Sequence, residues 1–159
     1  KTAICYYSRH HGNTLKVLEA MAEASGAELI DVTSRIAARL PQYDRIGFAS
    51  GIYYSKFHET VVNYAAQYLP EGKDVFFVCT HGSKSCPEKY FSAIRQVAKE
   101  KGCPVLGCFS CRGYDTFGPF KLIGGMAKGH PDEADLQKAR DFIETCKNCK
   151  AGSPLPHGA

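Results

Sequence analysis

No apolar run in these 159 residues approaches the roughly 20 that a membrane-spanning helix needs, so a membrane span is not expected. The chain opens at Lys1 with a strand-like run and shows no charged start, apolar segment and cleavage site of a secretory leader. Collagen periodicity, heptads and low-complexity tracts are missing as well, which removes fibrous and disordered readings. Massed charge is also scarce. The formal net charge is +4; residues 1 to 80 carry 8 Lys+Arg against 8 Asp+Glu, and residues 81 to 159 carry 12 against 8. These cations are scattered singly, whereas a nucleic-acid surface needs them clustered to displace counterions, so no nucleic-acid partner is expected.

What is present is the material of one ordinary domain, expected over residues 1–149, with 150–159 as a mobile tail containing Pro and Gly. At this length folding buries roughly 70% of the surface the unfolded chain exposes, so a core forms without disulfides or metals. The eight cysteines therefore need another explanation, and reduced thiols in a cytoplasmic setting are the expectation.

Five short runs read as strands: Ala3 to Tyr7, Glu28 to Val32, Arg45 to Ala49, Val75 to Cys79 and Val105 to Phe109. Most are apolar throughout, the mark of strands buried on both faces of a parallel sheet. Helical spacing links Leu15, Leu18 and Ala22, then Val62, Ala65, Ala66 and Leu69, then Phe91, Ile94 and Ala98, and last Leu136, Ala139 and Ile143. Helix starts fall at Asn13 or Thr14, after Phe57, after Pro87 and at Pro131-Asp132-Glu133. The connection Thr33 to Tyr43 is short and broken by proline. This alternation predicts a doubly wound α/β fold: a five-stranded parallel sheet in order 2-1-3-4-5 with helices on both faces. Ligands of such sheets sit beyond the carboxyl ends of the strands at the switch point.

The loop after the first strand, Ser8-Arg9-His10-His11-Gly12-Asn13-Thr14, runs straight into a helix. Gly12 lets backbone approach an anion, Ser8, Asn13 and Thr14 offer donors, and the helix start adds about half a positive charge. Arg9, His10 and His11 beside those donors favour a phosphate monoester. An N-capped helix start with exposed polar residues is the plainer alternative.

Ser-x-x-x-Gly-Asn-Thr after a first strand resembles the phosphate loop of the flavodoxin family, with Gly12-Asn13-Thr14 as the firm match and one residue more than usual before it. The resemblance implies FMN as cofactor and covers the chain to about residue 146. It gives Ser50-Gly51-Ile52-Tyr53-Tyr54 the role of ring contact, with Tyr53 or Tyr54 stacking on the flavin. It gives the amides of Thr80-His81-Gly82-Ser83 the pyrimidine edge. The segment opening Cys111-Arg112-Gly113-Tyr114 would reach the second face of the ring, with Tyr114 as its wall and Phe117 behind it. The stretch to Gly129 reads as an apolar flap over the site or a cap on the sheet end.

Two departures from the family bear on function. Simple carriers have Gly-Asp in the third-strand loop, where a glycine peptide flips toward the reduced flavin; here stands Tyr53-Tyr54, and non-glycine residues resist positive φ. Such carriers are also strongly acidic, which steers them to basic partners. The leading expectation is an FMN-binding electron-transfer protein shuttling electrons between redox partner proteins. A quinone or FMN reductase using NAD(P)H, with a small quinone or flavin as substrate, is the alternative, and a flavin-free interaction module a further one.

Two Cys-x-x-Cys pairs occur, Cys108/Cys111 and Cys146/Cys149. The first lies on a strand, where residues three apart face opposite sides, so it would chelate one metal only if the strand breaks. The second, at a helix end, is the better placed as a redox dithiol. Cys5, Cys79 and Cys103 read as small core residues.

Overall fold

The computed structural model describes residues 1–8, 12–34, 39–113 and 129–149. In chain order these form β1 (Thr2–Tyr7), α1 (Asn13–Ser25), β2 (Glu28–Asp31), β3 (Arg45–Tyr53), β4 (Lys56–Phe57), α2 (Glu59–Tyr68), β5 (Asp74–His81), α3 (Ser92–Glu100), β6 (Val105–Arg112) and α4 (Glu133–Asn148), with 3-10 turns at Leu40–Gln42 and Glu88–Phe91. The expected mobile tail, 150–159, and the expected flap from Tyr114 onward to 128 lie outside the described residues.

Five strands pair in parallel in the order β2-β1-β3-β5-β6. This is the predicted flavodoxin-like order, renumbered only because the short β4 intervenes and pairs antiparallel with β3. Alternation along the central strands builds two cores. Ala3, Cys5, Ile46, Phe48, Val75, Phe77, Cys79 and Cys108 face α2 and α3, meeting Val61, Ala65, Ile94 and Ala98. Ile4, Ala49, Phe76, Val78, Leu106, Phe109 and Cys111 face α1 and α4, meeting Val17, Leu18, Met21, Ala139, Phe142 and Ile143. Each phenylalanine so buried contributes roughly 1.5–3 kcal/mol of apolar transfer. Gly47 is part of the same packing, because the ring of Phe76 fills the place its side chain would occupy.

Two details differ from expectation. The apolar stripes of the first two helices are shifted: α1 buries Val17, Leu18 and Met21 where Leu15, Leu18 and Ala22 were expected, and α2 buries Val61 and Ala65 while Ala66 is exposed. Residues one step round a helix share a broad stripe, and contact with the sheet selects among them. The strands also run past their expected ends. β3 continues from Ala49 to Tyr53, β5 from Cys79 to His81 and β6 from Phe109 to Arg112. Ser50, Gly51, Thr80, His81, Cys111 and Arg112, expected in loops, are therefore strand residues, held by register pairs Ser50↔Cys79, Gly51↔Thr80, Thr80↔Cys111 and His81↔Arg112.

Candidate functional site

Gly12 begins the site. Its φ of 66° lies in the left-handed region, which a residue without Cβ adopts without strain, and a side chain added there would meet nothing within 4 Å. As the N-cap of α1 it brings no side chain, and the first turn holds no acid. The Leu15 N–H donates to Ser8 Oγ at 3.3 Å, tying the loop before the helix to its third residue. Asn13 and Thr14 turn inward and are buried.

The inward turn joins α1 to the end of β5. Thr14 Oγ1 and Thr80 Oγ1 lie 2.8 Å apart in a buried hydrogen bond. One hydroxyl proton is used in this bridge, so the pair fixes the helix start against the sheet and keeps one proton to donate elsewhere. Gly113, just beyond β6, completes the joint: a Cβ there would come within 2.8 Å of the Asn13 side chain.

The loop after β5 is pinned through three successive carbonyls. Gly113 N–H donates to His81 O at 2.9 Å, Arg112 donates to Gly82 O at 3.0 Å, and His81 Nδ1 lies 2.9 Å from Ser83 O. A carbonyl can only accept, so the His81 proton is on Nδ1. In a trans peptide the N–H points opposite to the C=O, so the amides of Gly82, Ser83 and Lys84 are turned away from those donors. His81 is 7% exposed, and burial, with Arg112 nearby, holds its pKa below 6.5.

At the end of β3, Ile52 and Tyr53 pair with Phe57 and Lys56 across a two-residue turn. Tyr54 and Ser55 take φ values of 50° and 67°. These are the left-handed conformations that a tight hairpin matching the strand twist demands, normally met by Asn-Gly. The expectation that Tyr53-Tyr54 resists positive φ is thus overturned at Tyr54, where hairpin closure and burial of Phe57 offset a strain of about 1 kcal/mol or more per residue. Tyr54 stands 75% exposed at the tip. Ile52 packs on the core shared with α2 and α3. Ser50 is wholly buried; its hydroxyl accepts the His58 N–H at 3.0 Å and donates to Gly51 O, so it anchors the hairpin from inside.

An aromatic group that the sequence reading passed over sits beside this hairpin. The rings of Tyr7 and His58 stack at 4.0 Å, and Tyr53 meets both edge-on. His58 also caps α2, its Nδ1 accepting the Thr60 N–H. The signal was available: an aromatic residue closing the first strand, and a histidine directly before the acidic first turn of a helix.

Cys111 does not belong with the loop residues. It points from β6 into the core under α1 and α4, and burial pushes its thiol up to about 12. Cys108 faces the opposite core, so this Cys-x-x-Cys pair is split by the sheet, as its spacing on a strand requires. Arg112 is turned back onto Gly82 O. Arg9, His10, His11 and Tyr114, also expected at the site, lie outside the described residues. Ser8, Gly12, Asn13, Thr14, Thr80, His81, Gly82, Ser83 and Gly113 are joined by the contacts above, with the Tyr53-Tyr54 hairpin at the same strand-end edge.

Among the described residues, His130, Asp132 and Asp135 alone bring three metal-type ligand atoms together. The two acids form a capping box at the start of α4, and His130 Nδ1 lies 2.7 Å from Asp135. Among those residues no helix is long and apolar enough to cross a membrane.

Fold and site together define a doubly wound α/β protein whose joined loop residues gather at the carboxyl ends of its strands. Residues 3–112 match the flavodoxin domain model, and the chain belongs to the flavodoxin family. It is 35% identical over 145 residues to an uncharacterised protein of Methanocaldococcus jannaschii, covering 91% of this chain and 97% of that one. Among solved structures it is similar to oxidised flavodoxin 2 from Bacillus cereus, with a TM-score of 0.70 and 15% identity over 93% of this chain and 98% of that one. It is also similar to an NADH:FMN oxidoreductase in its apo form, with a TM-score of 0.66 and 14% identity over 96% and 91%. Identities this low carry the fold alone.

Proposed function

We propose that this chain binds FMN non-covalently at the strand-end edge and works as an electron-transfer protein between redox partners. The observation that carries this is the acid-free start of α1, led by left-handed Gly12 and locked to β5 by the Thr14–Thr80 bridge. Backbone amides of its first turn meet a dianionic phosphate without a competing carboxylate, and the helix dipole favours the charge. The residues present also suit the rest of the cofactor. The pinned loop from Thr80 to Ser83 offers amides to the pyrimidine edge, and the Tyr53-Tyr54 hairpin offers an aromatic wall.

FMN supplies the electron-transfer chemistry when bound; the protein binds, orients and shields it. The Nδ1 proton of His81 is engaged with Ser83 O, leaving Nε2 as an acceptor in the neutral ring. The buried Ser50 and Phe57 hold the hairpin at its base. The reductase reading has an observation of its own. The two turn residues are Tyr54 and Ser55, so the hairpin lacks the glycine peptide whose reorientation the carrier type uses.

Absorbance of the purified protein and a fluorescence-quenching titration with FMN test the binding. Protein that is colourless and leaves FMN fluorescence unchanged overturns it. Stopped-flow mixing of the FMN-loaded protein with NADH and NADPH then separates the roles. Inertness to both supports the carrier, and prompt two-electron bleaching replaces it with the reductase.

A further inference from the structure

One cysteine pair that no Cys-x-x-Cys spacing marks meets in the fold. Cys79 Sγ and Cys86 Sγ lie 3.5 Å apart. Cys79 is wholly buried on β5, and Cys86 is half-buried, packing on the same core from the irregular segment before Pro87. We propose that Cys79 and Cys86 are a reversible dithiol–disulfide couple, a redox centre separate from the proposed flavin site, oxidised by hydrogen peroxide.

The geometry divides the labour. Disulfide formation needs the two sulfurs to close by about 1.5 Å, and Cys86, outside any helix or strand, is the partner free to move. It is also the one a small oxidant can reach. A hydrogen bond from Cys79, followed by one from the Ser110 hydroxyl, favours its thiolate and holds its pKa below 9.0, while burial pushes Cys79 well above that value. The Cys86 thiolate attacks one peroxide oxygen and breaks the O–O bond; the displaced hydroxide takes up the proton Cys86 released and leaves as water. Cys79 sulfur then attacks the Cys86 sulfenic sulfur, forming the S–S bond and breaking S–O, and the departing oxygen takes the Cys79 proton as a second water. Two thiols give up two electrons and the peroxide accepts them. The ring so closed encloses Thr80 to Ser85.

The Cys108/Cys111 pair lacks this arrangement. Cys108 and Cys111 face opposite cores, with both thiols pushed up to about 12 by burial.

The test is peptide mapping of the full-length reduced protein after stoichiometric hydrogen peroxide, alkylation and trypsin. Cleavage after Lys73, Lys84 and Lys89 puts Cys79 and Cys86 on separate peptides. The couple predicts loss of two hydrogen masses from the intact protein, peptides 74–84 and 85–89 joined, and release by dithiothreitol. Cys86→Ser should abolish the joined species, and Cys108→Ser should keep it. A bond between any other two cysteines, added oxygen on Cys86 without the joined peptides, or no change at all overturns the proposal. The wild-type map decides this even if a variant folds poorly, and none of these readouts requires bound flavin.

Discussion

Helices α1 and α4 pack side by side on one face of the sheet and both start at its carboxyl edge, yet their first turns are built in opposite ways. The start of α4 is closed. Asp132 accepts the Asp135 N–H at 2.9 Å, Asp135 accepts the Asp132 N–H at 2.8 Å, and Glu133 adds further negative charge. The start of α1 has glycine where α4 has aspartate and no acid in the turn that follows. The acids of α4 meet the positive end of its own dipole, whereas α1 brings no acid to its first turn. The same edge thus holds one helix start closed by acids and one free of them, which is the start the proposal gives to phosphate.

The contrast is broken most sharply by giving α1 the acid that α4 has. Gly12→Asp places a carboxylate in open space, where the proposal puts phosphate. FMN affinity is expected to fall about 100-fold in a quenching titration, like-charge repulsion replacing a charge-assisted hydrogen bond. Affinity within threefold of wild type would mean the phosphate is not held there. Gly113→Ala comes next, forcing a Cβ against Asn13. Overpacking at this joint should cost roughly 1–3 kcal/mol in urea unfolding and weaken FMN binding with it.

The complementary change is Asp132→Ala, which opens the capping box. It should cost about 1 kcal/mol of stability and leave FMN affinity untouched. A loss of binding would mean that both helix starts serve the ligand. The smallest effect is expected from His81, whose folded pKa lies below 6.5. As pH falls through 6.5 the unfolded chain takes up a proton that the buried ring refuses, so stability decreases on acidification. His81→Asn keeps a donor for Ser83 O and removes the titration. Urea midpoints measured on either side of pH 6.5 should therefore lie closer together in the variant.

The sheet order was legible because it rests on long-range logic: apolar runs separated by helical spacing admit few topologies. Strand ends were not, because Ser50 and Thr80 look like loop residues until the partners of their hydroxyls are known. The hairpin at Tyr54-Ser55 carries none of the Asn-Gly chemistry that marks such turns. Gly12-Asn13-Thr14 was readable as a motif, but that Asn13 and Thr14 turn inward to Gly113 and Thr80 depends on contacts across some seventy to a hundred residues. Cys79 and Cys86 were invisible for a related reason: a spacing of seven matches no local geometry, and only the path of the loop after β5 brings them together.

β3 reaches beyond its parallel neighbours. Its pairing with β1 stops at Ser50 and with β5 at Gly51, while the strand itself continues to Tyr53. Above the sheet the hairpin is a lever whose fulcrum is Phe57, buried against Phe91 at the foot of α3. Trimming that ring would alter no residue at the tip, yet it would leave a cavity under the arm that carries Tyr54. Packing in the core under α2 and α3 is thus carried out to the strand-end edge through the base of the hairpin, by Phe57 together with the buried Ser50.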